Sequence, residues 1–171
     1  MRLYTFTHYM LSPMAKGIQA THSTVELFNK YTNELDVQGE ILYDWSMNHK
    51  TMVSLNGGVT PDLHNLVEFL EYGNCPYPWA YFNEDESLGD LLTSISLVLP
   101  EKIYEMASLL RTKVISNVAN GFVVNDWEKY NESFSLNEYE EIQKTVLGYG
   151  PFSEFDLELI SKLNTYRLAS V

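Results

Sequence analysis

Leu11-Ser12-Pro13-Met14-Ala15-Lys16-Gly17-Ile18-Gln19-Ala20-Thr21-His22 is the stretch whose reading decides the fold. Ser12 is a favoured helix N-cap, and Pro13 suits the first helical position, where its missing N–H costs nothing. Just before it, Leu3 to Met10 is rich in aromatic and β-branched residues and alternates at Tyr4 to Thr7, which predicts a first strand. A strand therefore feeds directly into a helix. On that helix Ala15, Gln19, His22 and Glu26 share one side, while Ile18, Thr21, Val25 and Phe28 form a neighbouring stripe expected to face a sheet. The polar side starts at the helix N-terminus, where free N–H groups and the dipole favour an anion. Ser12, Lys16, Gln19 and His22 are thus candidate ligand-binding residues.

Working outward, Asn33 to Gly39 is a polar connection, and Glu40 to Trp45 is a short apolar segment of undecided type. Lys50 to Asn56 alternates and closes at Gly57-Gly58, predicting a second strand and a turn. Thr60-Pro61-Asp62 repeats the cap-then-proline signal for a helix carrying Leu63, Leu66, Val67 and Leu70. After irregular Asn74 to Pro78, Trp79 to Phe82 predicts a third strand, Asn83 to Asp90 an acidic loop, and Thr93 to Leu99 a fourth strand. Pro100-Glu101 opens a third helix. The order β-α-β-α-β-β-α predicts an α/β fold with a mixed four-stranded sheet covered by helices. Past Thr112 the pattern changes. Val114 to Val124 reads as a strand or connection, Ser135 to Glu138 as a capping box, and Ser153 to Asp156 as the start of a last helix with Leu157, Ile160, Leu163 and Leu168 on its apolar stripe. Residues 1–112 are expected to form the α/β domain and 113–171 a helical extension packed on it or on a second subunit.

The 171 residues are 45% hydrophobic and 20% charged, as in ordinary globular chains. A net charge of −12 sets the chain against long nucleic acid, which would meet repulsion first. No apolar run of membrane-spanning length and no basic-then-apolar leader is seen, so a cytoplasmic protein is expected. The single cysteine, Cys75, excludes an internal disulfide framework. Four histidines show no metal-ligand pairing, and Gly57-Gly58 lacks the lysine of a phosphate loop, so no metal or cofactor is expected.

Gly17-Ile18-Gln19-Ala20-Thr21-His22-Ser23-Thr24-Val25 resembles the first helix of type-2 peptidyl-tRNA hydrolases, and the order of elements over about residues 1 to 111 is similar to that family's fold. The resemblance implies a site built from Gln19, His22 and the loop after the third strand. The loop departs from the family pattern. Where the family has Asp-Ala-Gly-Arg-Thr, this chain has Asn83-Glu84-Asp85-Glu86-Ser87, and Ala15 stands at the catalytic lysine position with Lys16 next to it. Positive charge has become negative where a tRNA backbone would lie. The reading that follows is capture of a small nucleotide-like ligand by Ser12, Lys16, Gln19, His22, Trp79, Asn83 and Ser87. The alternative is a hydrolase with His22 as base supported by Glu84 or Asp85. A carboxylate within hydrogen-bond reach of His22 would favour hydrolysis, and aromatic walls without one would favour capture. A third reading is a protein-interaction module or homo-oligomer using the C-terminal helices. The short acidic chain also resembles accessory proteins of bacteriophages, which implies sequestration of a host nucleotide signal.

Overall fold

The computed structural model describes residues 1–31, 36–85, 89–109 and 152–169. Two compact units are present, Met1–Pro100 with Tyr166–Val171, and Glu101–Thr165. The first unit contains strand β1 (Arg2–Thr7), helix α1 (Pro13–Lys30), helix α2 (Val37–Asp44) continued by a π-helical turn (Trp45–His49), β2 (Met52–Asn56), α3 (Thr60–Tyr72), β3 (Trp79–Glu84), β4 (Leu91–Leu99) and the short β5 (Arg167–Leu168). The second contains α4 (101–109) and α5 (Glu154–Thr165). The fold is α/β, as the alternation of strands and helices predicts.

The sheet order is β3-β4-β1-β2-β5. β1 and β2 run parallel because an entire helical layer separates them, and β4 runs antiparallel to both β1 and β3. β5 adds a two-residue antiparallel strand beside β2, extending the four expected strands to five. Alternation along β1 sends Leu3, Thr5 and Thr7 toward α1, and register places them opposite Val98, Ser96 and Ser94 of β4. Leu3 and Val98 join Leu27, Tyr31, Leu42, Trp45 and Ala80 in the core beneath α1 and α2. Glu40 to Trp45, undecided from sequence, is therefore helical because Leu42 and Trp45 have an apolar place to go. The crossover from β2 back to β3 at the far edge carries α3 to the opposite face, with Leu63, Leu66 and Leu70 buried.

Two termini show how local chemistry sets these elements. Ser12 Oγ accepts from Ala15 N at 3.3 Å, the cap read from the sequence. At α3 the cap is one residue earlier than Thr60. Val59 is the N-cap, and Asp62 reaches back to accept from its N–H at 2.9 Å. Gly57 is required by close approach, since a Cβ there would lie 2.6 Å from Leu63 Cδ2 and 3.2 Å from the Thr7 nitrogen.

The expected apolar stripe of α1 is a correction. Ile18, Val25 and Phe28 are 49%, 50% and 42% exposed, and Thr21 is exposed too. Gln19, Ala20, Ser23 and Leu27 face the sheet instead. The reason is the partner surface: Thr5, Thr7, Ser94 and Ser96 make that part of the sheet polar, and polar helix residues meet it. Ser23 Oγ lies 2.8 Å from Ser96 Oγ, and Ser94 Oγ donates to the Gln19 carbonyl at 2.6 Å.

In the second unit Ser153 and Asp156 cap α5 reciprocally, Ser153 N to Asp156 Oδ2 at 3.0 Å and Asp156 N to Ser153 Oγ at 3.1 Å. Lys102 Nζ meets the same Oδ2 at 3.2 Å. Leu168, placed on the last helix from sequence, sits in β5 because α5 ends at Thr165. The expected elements at Val114 to Val124 and Ser135 to Glu138 lie outside the described residues.

Candidate functional site

The site is built where α1 crosses β3 and the start of β4. β4 carries one extra residue against β3: Phe82 pairs with Ser94 and Asn83 with Leu92, so Thr93 is a bulge. A bulge re-aims a side chain that simple alternation would send to the other face. Thr93 Oγ1 consequently donates to Gln19 Oε1 at 2.8 Å, with the Phe82 carbonyl at 3.2 Å as a second acceptor. Gln19 Nε2 donates to Glu84 Oε2 at 2.7 Å. With only 7% of its surface exposed, Gln19 is clamped at both ends of its amide. Its orientation is fixed by chemistry, because the hydroxyl needs an acceptor other than an NH2 and the carboxylate needs a donor.

One turn on, the His22 ring stands edge-on to Phe82, with centroids 4.5 Å apart and planes at 60°. Its Nδ1 is enclosed and has no hydrogen-bond partner. Among the described residues no hydrogen bond joins a carboxylate to the His22 Nδ1, and Glu84 Oε2 accepts from Gln19. The geometry thus brings together Gln19, His22, Phe82, Glu84 and Thr93.

The other expected residues are placed elsewhere. Ser12 is occupied as the cap of α1, and Lys16 is half-buried in the first turn. Asn83 alternates to the face of β3 away from Phe82 and Glu84, where its Nδ2 donates to Asp90 Oδ1 at 2.9 Å and its Oδ1 has no partner. Trp79 lies at the far end of β3, buried under the Lys30 ammonium 4.1 Å from its ring centroid. Asp85 is exposed just past β3, and Ser87 lies outside the described residues. The sequence alone does not mark Phe82 or Thr93 as a site residue. Phe82 is one apolar residue among several in a strand, and the bulge that turns Thr93 inward is a property of register between two strands, which no single segment displays.

Nearby, at the end of β1, Thr7 is fully buried with its Oγ1 unpartnered, and His8 accepts from Met10 N at Nδ1, 3.3 Å away. Burial lowers the His8 pKa, since the charged imidazolium loses its water there. Among the described residues no cluster of three or more His, Cys, Asp or Glu is placed to hold a metal, and no helix is long and apolar enough to cross a membrane. No protein-family model matches the chain, and no curated protein matches it either.

Proposed function

We propose that this chain binds and sequesters a small nucleotide-like ligand beside the middle of α1, against the paired rings of His22 and Phe82. The supporting observation is the state of His22: an enclosed imidazole nitrogen without a partner, set against an aromatic ring, with no carboxylate bonded to it among the described residues. A buried polar atom left unpaired costs about 1–3 kcal/mol, which a ligand donor or acceptor at that position would recover. A base stacking on an aromatic side chain adds about 1–3 kcal/mol. General-base hydrolysis is the less favoured reading, because the Glu84 carboxylate accepts from Gln19 and no hydrogen bond joins a described carboxylate to His22 Nδ1. The resemblance to type-2 peptidyl-tRNA hydrolases belongs to this proposal as its source of fold expectation, with the exchanged loop charges arguing against a tRNA substrate. So does a bacteriophage role in removing a host nucleotide signal.

The test is to incubate the protein with cyclic and linear nucleotides and a model peptidyl-tRNA, then identify what is depleted from the filtrate and what heat releases. An intact nucleotide recovered from the protein, lost in Phe82→Ala and His22→Ala, supports capture. A cleaved product that depends on His22 makes the chain a hydrolase instead. Depletion of nothing removes the ligand reading.

A further inference from the structure

α1 meets β4 through hydroxyls and an amide, and it turns apolar side chains outward. Met14, Ile18, Val25 and Phe28 are 79%, 49%, 50% and 42% exposed, with Thr21 exposed among them. At about 3.6 residues per turn these five share one stripe opposite Gln19, Ser23 and Leu27, so the stripe points away from the sheet. Their spacing of four, three, four and three is the seam of a helix pair. Gly17, on the flank of the stripe, is a second sign of a missing neighbour. A glycine inside a helix is less stable than an alanine, and an added Cβ there would meet nothing within 4 Å, so nothing among the described residues calls for it. A second helix packed on the stripe does, because a bare backbone at its flank lets two helix axes approach.

We propose that two copies of this chain pair through antiparallel α1 helices, stripe against stripe, as a weak reversible dimer. The inference is independent of the ligand reading. Charge selects the second copy as the occupant. Each molecule carries −12, so two copies repel wherever acids meet. The stripe and its flanks at Gly17, His22, Thr24 and Asn29 hold no carboxylate or ammonium, and Lys16, Glu26 and Lys30, the charged residues of α1, lie off it. A basic partner finds no acid there to pair with, and a second copy finds none to avoid. Orientation follows from the helix dipole, since antiparallel helices bring opposite ends together and parallel helices bring like ends. The stripe is self-complementary in that orientation. With the two-fold axis level with Gln19 and Ala20, Met14 of each copy stands opposite Val25 of the other, and Ile18 opposite Thr21. Each layer then sets a larger side chain against a smaller one. One helix pair buries less than the roughly 800 Å² per partner of a standard stable interface, so association is expected in the micromolar range.

Sedimentation velocity of the full chain across a micromolar concentration series is expected to give a mass rising toward twice 19.7 kDa. The rise is expected at lower concentration when salt is added, because salt screens the like net charges and the seam holds no ion pair to weaken. Ile18→Glu and Thr21→Lys are each expected to shift the protein to monomer. An equimolar mixture of the two is expected to associate more tightly than either alone, because only the antiparallel register sets the new acid against the new base. Gly17→Arg adds bulk where an added Cβ touches nothing, so it is expected to keep the urea midpoint and to lose the dimer. A wild-type monomer at every concentration overturns the proposal. A dimer that Gly17→Arg leaves intact, or whose mixed variants associate no better than each alone, overturns it as well. In a wild-type monomer, a lowered urea midpoint for Ile18→Glu assigns the stripe to another part of this chain, and an unchanged midpoint leaves it to a foreign partner.

Discussion

Gln19 joins three segments distant in sequence, since its two amide ends and its carbonyl bind Glu84, Thr93 and Ser94. Gln19→Ala removes one hydrogen-bond partner from the buried Thr93 hydroxyl and one from the half-buried Glu84 carboxylate. The expected loss is about 2–3 kcal/mol by urea unfolding, larger than a surface glutamine would give. Gln19→Glu places a second carboxylate against Glu84, so its stability is expected to fall most at neutral pH and to recover partly on acidification. His8 gives a second pH signature. Its pKa is lowered in the folded protein, so its contribution is present above the ordinary value of 6.5 and is lost as pH falls through the folded value. The melting temperature of the wild type is expected to drop more steeply below that pH than that of His8→Asn, which keeps an acceptor for Met10 N and does not titrate.

At the scale of elements, α1 is attached by two different means. Its C-terminal half is held by apolar burial at Leu27 and Tyr31, and its N-terminal half by hydroxyl and amide bonds to β4. Leu27→Ala is expected to cost about 2–5 kcal/mol, the range for a fully buried leucine. The polar half predicts a different pattern. Ser23→Ala or Ser96→Ala alone leaves its partner hydroxyl short of a bond and is expected to cost about 1–2 kcal/mol, whereas the double substitution costs less than the sum. A double-mutant cycle in urea checks this. An apolar stripe facing outward and a polar stripe facing inward is an inversion of the usual helix rule, and it explains why periodicity chose the wrong side.

For the molecule as a whole, the C-terminal segment closes the sheet. Tyr166 packs edge-on to Phe6, centroids 4.9 Å apart, and β5 then pairs with β2. Burial, with the Asp62 carboxylate adding to it, pushes the Tyr166 phenol up to about 12. The neutral phenol is thus favoured in the folded state. Its contribution is complete below the ordinary value near 10 and is lost as pH rises from there toward 12. Alkaline unfolding of Tyr166→Phe is expected to show a shallower fall over that interval, followed by circular dichroism.

The sequence by itself determined the element types and their order: the cap at Ser12-Pro13, the alternation of β1 and β2, and the helices that force β1 and β2 to run parallel. These are legible because capping, proline geometry and side-chain period act within a few residues. It also placed Gln19 and His22 on one side of α1. Only the tertiary structure decided which side of α1 meets the sheet, that Thr93 bulges toward Gln19, that Phe82 rather than a carboxylate meets His22, and that Asn83 belongs to the other face. The physical reason is common to all four. Each depends on the register between strands and on whether the facing surface offers methyls or hydroxyls, and both are set by segments far apart in the chain.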